Sequence, residues 1–457
     1  MHRYQNFQGE DMDKDSKMSE EVKSLSTDKK ITSRRDFFKK TAVYSASLVA
    51  TSAALSPMKA IASDDPAIIN DVEWGTKLGD KVTKFRYGVP SPYEHNNVRR
   101  NDPLLSSGDE YATVTMCPIH ESEGIITPNG LFFTRDHGGT AHVDPEQFRL
   151  MIHGKVKKDV VLTLQQLKRY PSVTRTYFIE CPANGSTDWR APQYNNLQFL
   201  KGMMSSAQWT GVLLKTVLED IGLEADAVWM LAEGSDNAGN PRTIPVEKAL
   251  DDAMLVWGQN GEALRPEQGY PVRLLVPGWE GNLNTKWLKR LEFSDKPWHS
   301  KEETSKYTML QKSGKAIRYF WINEVNSVIT SPCPEKPWTD LKKGDVVEIE
   351  GIAWSGHGTI KHVDITFDGG DNWVEASLKG LVLPKSWTRF SYILKWDGKP
   401  LLLSSRAVDD IDNVQPTIDQ ETTAVGVESV YHRNANVTWE ITEKGEVHNV
   451  HIRKHHV

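Results

Sequence analysis

The sequence predicts an α+β chain in two main parts, a mixed helix and strand domain followed by an antiparallel β-sandwich, and three observations carry that prediction. With 457 residues the chain is longer than a single hydrophobic core usually supports, so two or three domains are expected. Between Tyr111 and Pro297, short apolar runs such as Thr176-Tyr177-Phe178-Ile179 and Val272-Arg273-Leu274-Leu275-Val276 alternate with helical stretches. Past Val325 the pattern becomes apolar and polar residues in strict alternation, the signature of strands buried on one face.

At the N-terminus, Met1 to Lys30 is polar, charged and free of apolar periodicity, which predicts a leader that buries too little to fold. Ser33-Arg34-Arg35-Asp36-Phe37-Phe38-Lys39 follows, then a small-residue apolar run from Thr41 to Leu55 and the Ala60-Ile61-Ala62 cleavage pattern. This arrangement resembles a twin-arginine export signal. The run is shorter than the roughly 20 apolar residues a membrane-spanning helix needs. A periplasmic mature chain starting near Ser63 is therefore expected, and export of folded protein suggests a cofactor inserted beforehand. The expected organisation is leader and signal over 1–62, an extended arm over 63–110, a cofactor domain over 111–324 and the sandwich over 325–457.

Within the first domain, Val212 to Ile221 reads as a helix that begins after Thr210-Gly211 and stops at Gly222. A second short helix is expected from Val246 to Ala253, after Pro245. In the second domain Val346–Trp354, His362–Phe367, Thr388–Trp396, Leu401–Ala407 and Val437–Ile441 read as strands, and Asp368-Gly369-Gly370 supplies a hairpin turn. Short strands at this spacing indicate an immunoglobulin-like sandwich. The histidine-bearing end, His448, His451, His455 and His456, reads as a frayed polar terminus.

Composition excludes several function classes. The net charge of −6 has both signs interspersed, so no extended basic surface is available to neutralise nucleic-acid phosphates. Three cysteines cannot all pair within one chain, and neither a C-x-x-C-H haem motif nor a four-cysteine metal spacing occurs. Phosphate-cradling G-x-x-x-x-G-K-[ST], dinucleotide G-x-G-x-x-G between strand and helix, and G-x-S-x-G are missing as well. Any redox chemistry must rest on a cofactor held by few protein ligands.

Three clusters can carry chemistry. Phe178-Ile179-Glu180-Cys181-Pro182-Ala183-Asn184-Gly185 is a strand that ends in a cysteine inside a turn, where a thiolate can reach a metal from a loop. A buried structural cysteine fits the same pattern, and Cys117 and Cys333 read as structural. In Thr134-Arg135-Asp136-His137, residues 135 and 137 share a face if the segment is extended, which suits an oxyanion. Arg273 and Lys286 flank a loop that could hold phosphate, although surface ion pairs would leave the same trace. On the residues alone, an exported two-domain binding protein stays open beside an enzyme.

In this order the clusters resemble the sulfite oxidase family of molybdopterin enzymes, together with Glu262 to Pro271, Thr285 to Arg290, Glu302-Glu303-Thr304-Ser305-Lys306-Tyr307-Thr308, Ala353-Trp354-Ser355-Gly356 and Asn413-Val414-Gln415-Pro416. The resemblance covers essentially the whole chain after the export signal and is strongest toward members that oxidise sulfane sulfur. It implies a molybdopterin-binding domain followed by an immunoglobulin-like dimerisation domain. Cys181 would be the thiolate ligand of molybdenum, Arg135 would point into an anion pocket, and Tyr307 would stand near the metal. His137, Asp236, Gln268, Arg273 and Lys286 would contact the pterin and its phosphate, Gln268 standing where the family commonly has histidine. Members acting on free sulfite usually carry an arginine where this chain has Ser186, and Trp-His-Arg where it has Trp439-Glu440-Ile441. Those departures favour sulfur carried on a partner protein over free sulfite, with plain sulfite dehydrogenation as the alternative. No haem is expected in the chain, so electrons would pass to a c-type cytochrome subunit or soluble cytochrome c. A homodimer or a heterotetramer with that cytochrome is the implied assembly, with no nucleic acid partner and no membrane span in the mature chain.

Overall fold

The computed structural model describes residues 77–453 except residues 85 and 106–109, so the twin-arginine segment and the cleavage pattern lie outside the described residues. The chain divides after Lys84 into two units. Of the first, residues 77–84 form an exposed turn in which Lys84 pairs with Asp80 at 2.9 Å. All that follows concerns the second unit.

Its first part is built on small sheets. Strands β1 (Arg100–Asn101), β2 (Val114–Met116) and β3 (Thr134–Arg135) form one. Then come β4 (Leu150–Gly154), β5 (Val160–Leu162), helix α1 (Leu164–Leu167), β6 (Val173–Glu180), α2 (Leu197–Lys201), β7 (Met204–Leu213), α3 (Leu214–Ile221), β8 (Trp229–Gly234) and β9 (Arg242–Pro245). They continue into α4 (Val246–Asp251), β10 (Met254–Gln259), β11 (Glu262–Ala263), β12 (Arg273–Leu275) and β13 (Leu288–Ser294). One five-stranded sheet runs β11-β10-β7-β6 with β12 also on β10, and another runs β5-β4-β13-β8-β9. Helix α3 buries Leu214, Val217, Leu218 and Ile221, the i, i+3, i+4, i+7 face that its sequence dictates. It begins two residues later than the sequence pattern predicts. Gly211, Val212 and Leu213 pair with Val256, Leu255 and Met254 on β10, and that pairing keeps them extended. Gly222 closes the helix at φ +74°, as expected of a C-terminal glycine.

After α5 (Lys301–Thr304) and a hairpin of β14 (Met309–Leu310) with β15 (Ala316–Ile317), the chain enters one eight-stranded antiparallel sheet. Its strands are β16 (Asn326–Ser331), β17 (Val346–Trp354), β18 (Ile360–Thr366), β19 (Val374–Lys379), β20 (Thr388–Lys395), β21 (Leu401–Asp409), β22 (Thr438–Ile441) and β23 (Val447–Val450), with α6 (Ile418–Val425) between β21 and β22. The order β16-β17-β20-β19-β18-β21-β22-β23 curls, and Ser327 of β16 lies 2.9 Å from Ser405 of β21 through their hydroxyls. The result is a β-sandwich made from one folded-over sheet.

Two hydrophobic cores result. One lies wholly in the first part, around Ile152, Leu218, Leu255 and Phe293. The other is shared: Phe178, Trp209 and Leu275 pack in the same cluster as Trp354, Phe390 and Trp439 of the large sheet. Residues 87–104, the described end of the expected arm, lie on the first part, where Arg99 pairs with Glu267 at 3.4 Å and the Tyr194 hydroxyl donates to Asp102 at 2.7 Å.

His448 and His451 depart from the frayed end that the composition suggests, while His455 and His456 lie outside the described residues. His448 lies in β23 opposite Glu440, and the His451 side chain is buried near Asp188. Burial and the cations Arg433 and Arg453 push His451 down to about 3. Between pH 6.5 and about 3 the unfolded chain therefore binds a proton here that the native protein refuses, and stability falls as pH falls through that window. Acid denaturation should report this directly. In His451→Gln, the loss of stability between pH 6 and pH 4 should be shallower than in the wild type, in equilibrium urea unfolding at each pH.

Candidate active site

The site forms where strand ends and loops of the first part meet a loop of the second. Strand β6 delivers Glu180 and then Cys181, whose amide donates to Met203 O at 3.0 Å and turns the chain. Glu180 is buried beneath this loop. Its carboxylate accepts from Trp354 Nε1 at 2.7 Å and Asn184 Nδ2 at 2.8 Å, so a tryptophan of the large sheet clamps the residue preceding the cysteine. Glu180→Ala would leave both buried donors unpaired and should lower equilibrium stability by about 2 to 4 kcal/mol, measured by chemical denaturation. From the same side His432 N donates to Pro182 O at 2.8 Å, and Gly281 packs directly on the Glu180–Cys181 backbone.

Cys181 faces two connected spaces. The inner is a chamber that brings together all eight residues singled out from the sequence: Arg135, His137, Cys181, Asp236, Gln268, Arg273, Lys286 and Tyr307. The outer is a mouth, which Arg135, His137, Cys181 and Tyr307 also line and to which Ser186, Lys301, Lys306 and Tyr431 are added. Strand β3 ends at Arg135, so His137 reaches the site from the loop after it.

The electrostatics are cationic inside. Arg273 is buried, its two Nη atoms donating to Gln268 O at 3.1 Å and Asn284 O at 3.0 Å, and burial pushes it down to about 9. Lys286 pairs with Asp136 and also donates to Glu267 O at 3.1 Å and Arg135 O at 3.3 Å. Burial lowers Lys286 while Asp136 opposes that shift, and burial raises Asp236. His137 Nε2 lies 2.9 Å from the Tyr307 hydroxyl, and burial with Arg135, Lys286, Lys306 and Lys301 pushes it down to about 4. His137 is therefore a neutral imidazole at neutral pH, bonded to a phenol whose own ionisation burial suppresses. Tyr307 is held at φ +42°, with Arg242 stacked 5.0 Å from its ring centroid.

An anionic, polar cofactor fits this chamber. Arg273 Nε, Thr285 Oγ1, Asn240 Oδ1 and Asn282 Oδ1 are buried without a hydrogen-bond partner, and their residues all line the chamber. The unpaired donors Arg273 Nε and Thr285 Oγ1, beside two buried cations, suit a phosphate, the two unpaired amide oxygens suit the N–H edge of a heterocycle, and Cys181 is the one thiol that lines the chamber. Burial pushes that thiol up to about 11 in the protein alone, a preference that coordination to a metal would reverse.

Some residues of the site went unread in the sequence. Tyr431 stacks at 5.2 Å on Tyr307, and Glu280 Oε1 lies 2.5 Å from His432 Nδ1 in the buried space behind Cys181. The Lys201 ammonium and the Arg433 guanidinium converge beneath Gly185, and burial brings Lys201 down to about 8. Trp439, by contrast, is a core residue whose indole donates to Ile329 O at 3.0 Å, outside both spaces. The run Tyr431-His432-Arg433, polar and aromatic in a stretch without alternation, is the signal that was available.

Comparison with known proteins agrees with this geometry. Residues 137–302 match the family described as the oxidoreductase molybdopterin binding domain, and residues 318–438 match the Mo-co oxidoreductase dimerisation domain. The fold and site thus define a molybdopterin oxidoreductase with a dimerisation domain. Rat mitochondrial sulfite oxidase is 30% identical over 374 residues, 74% of this chain and 67% of that enzyme. The human enzyme is 31% identical over 323 residues, covering 65% and 58%. The crystal structure of the sulfane dehydrogenase SoxCD from Paracoccus pantotrophus superposes with a TM-score of 0.83 at 42% identity, over 85% of this chain and 99% of that one. The chain belongs to the sulfite oxidase family.

Proposed function

We propose that the protein is a periplasmic, twin-arginine-exported dehydrogenase that oxidises sulfane sulfur carried on a partner protein, and that it passes the electrons to a c-type cytochrome. What supports this reading most is the mouth: Cys181 lines it, and it presents Ser186 where sulfite-oxidising relatives carry an arginine. A mouth lacking that cation binds a small dianion less well, whereas a carried sulfur draws its binding energy from a remote protein contact. The 42% identity to a sulfane dehydrogenase points the same way. A dimer, or a heterotetramer with the cytochrome, is the proposed assembly. The second reading, dehydrogenation of free sulfite, is favoured by the cations that remain in the mouth, Arg135, Lys301 and Lys306.

When bound, the molybdenum cofactor supplies the oxygen-atom transfer and two-electron chemistry. The chain's own residues do the rest. Cys181 would hold the metal, and Arg273, Lys286, Gln268 and Asp236 would hold the pterin and its phosphate. Arg135 would orient anionic oxygens of the substrate or product. Tyr307 keeps its proton at Oη, and the hydrogen bond between that hydroxyl and neutral His137 at 2.9 Å fixes its position. Steady-state comparison of a persulfide-bearing protein with free sulfite tests the reading. A higher kcat/KM for the carried sulfur is expected, and efficient turnover of free sulfite alone would overturn it.

A further inference from the structure

We propose that the outer face of the excursion over residues 296–318 is a docking surface for an acidic protein, which it guides to the mouth of the site. The inference rests on the function proposed above and adds the chemistry of the partner.

This segment leaves the first part after β13 and returns to its starting point. Tyr319 Oη donates to Trp298 O at 3.4 Å, and Arg318 Nη1 lies 2.9 Å from His299 Nδ1, so the two ends are tied together. Its inner side is anchored. The buried carboxylate of Glu303 accepts from Thr243 N at 2.5 Å and Thr243 Oγ1 at 2.9 Å and lies 3.7 Å from Arg242 Nε, while Tyr307 enters the site. The outer side is cationic. Lys296, Lys301, Lys306, Lys312, Lys315 and Arg318 are all exposed, against only Glu302 and the inward-facing Glu303.

Solvated lysines are common, so their concentration in one segment decides the matter. Elsewhere some surface cations pair with carboxylates, as Lys379 does with Glu348 at 2.9 Å and Lys289 with Glu233 at 2.9 Å, and single exposed lysines such as Lys158 and Lys343 stand without an ion pair to any described residue. Among the described residues none of these six has a salt-bridge partner, although the whole chain carries a net charge of −6. A concentrated patch of the minority sign, held on a tied-down excursion, is a steering surface rather than a solvated face. It is also in the right place. Lys301 and Lys306 line the mouth, whereas Lys312 and Lys315 lie beyond it on the β14–β15 hairpin, beside a hollow that includes Leu310, Val425 and Val427. A small anion would need only the inner pair. A strip that continues outward past a hollow where Glu428 is outnumbered by Lys312 and Arg453 fits a protein with an acidic face.

The test uses the loaded full chain and two synthetic peptides of equal length, each bearing a cysteine persulfide, one rich in glutamate and one rich in lysine. Binding is read by fluorescence anisotropy of their unpersulfidated forms, and kcat/KM is read separately. The glutamate peptide should bind at least about tenfold more tightly at low salt, with a matching kcat/KM ratio, and the advantage should collapse toward 0.5 M salt. The triple variant Lys296→Glu/Lys312→Glu/Lys315→Glu, none of whose positions lines the mouth, should reverse the preference while leaving turnover of free sulfite unchanged. Equal, salt-insensitive binding of both peptides would overturn the proposal, as would equal binding of an oligonucleotide of matched charge. If the glutamate peptide binds preferentially but neither persulfide is oxidised, the docking surface stands and the sulfane reading falls. Oxidation of both peptides with no charge preference would sink the docking surface and leave the sulfane reading intact.

Discussion

Cys181→Ala should abolish retention of molybdenum while leaving a folded chain. Among the described residues Cys181 is the one thiol that lines the chamber; Cys117 and Cys333 are buried elsewhere. The substitution removes one sulfur atom and leaves the clamps on its neighbours intact, namely Trp354 on Glu180 and His432 on Pro182. Metal analysis should therefore fall from about one molybdenum per chain to near zero, and turnover should drop by at least about a thousandfold, the scale seen when a residue essential to catalysis is lost. Near-ultraviolet circular dichroism should stay native. A fully loaded Cys181→Ala protein would refute the assignment, and Lys286→Ala offers an independent check. It removes a buried cation from the same chamber and should weaken cofactor retention without touching the metal ligand.

The second large effect concerns the seam between the two parts. Gly278 and Gly356 meet there backbone to backbone: a Cβ on Gly356 would lie 2.1 Å from Gly278 O and 2.6 Å from Asn323 O. Neither obstacle is a flexible side chain, so the backbones must part. Gly356→Ala should cost about 3 to 5 kcal/mol in equilibrium unfolding. Because Gly278 opens the loop that carries Glu280, Gly281 and Asn284, molybdenum content should fall with it. Gly88→Ala is the matching control, since a Cβ there meets nothing within 4 Å, and it should change stability by less than about 0.5 kcal/mol. A neutral Gly356→Ala would mean that the seam is looser than its geometry states.

Much of this molecule is legible in its sequence, and the reason is local. The alternation of His362-Val363-Asp364-Ile365 survives in the structure, with Val363 and Ile365 buried and His362 and Asp364 half-buried, whereas β17 from Gly351 to Trp354 and much of β21 are buried on both faces. The short helix after Pro245 was legible because its start signal lies in the chain itself, although it ends at Asp251, two residues early. The eight site residues were reachable because each sits in a short motif whose order resembles a known family. What stayed hidden depends on distant chain segments. Val212 and Leu213 are extended only because β10 pairs with them. Tyr431 and His432 belong to the site only because the loop between α6 and β22 packs on the cysteine loop, and the buried His451 lies beside Asp188, 263 residues earlier. The change of sequence pattern near Val325 is matched by no core boundary, since Trp209 and Trp354 share one cluster.

That shared cluster has a bearing on the order in which the protein can be made. Cys181 leaves the ribosome early, but the tryptophan that clamps its neighbour is residue 354, and the backbone amide that fixes its loop belongs to residue 432. A nascent chain carrying the whole first part still presents an unfinished mould, with the Glu180 carboxylate lacking the tryptophan donor. The chamber takes its final shape only when almost the last residues arrive, so productive cofactor insertion belongs to the completed polypeptide and not to a growing one.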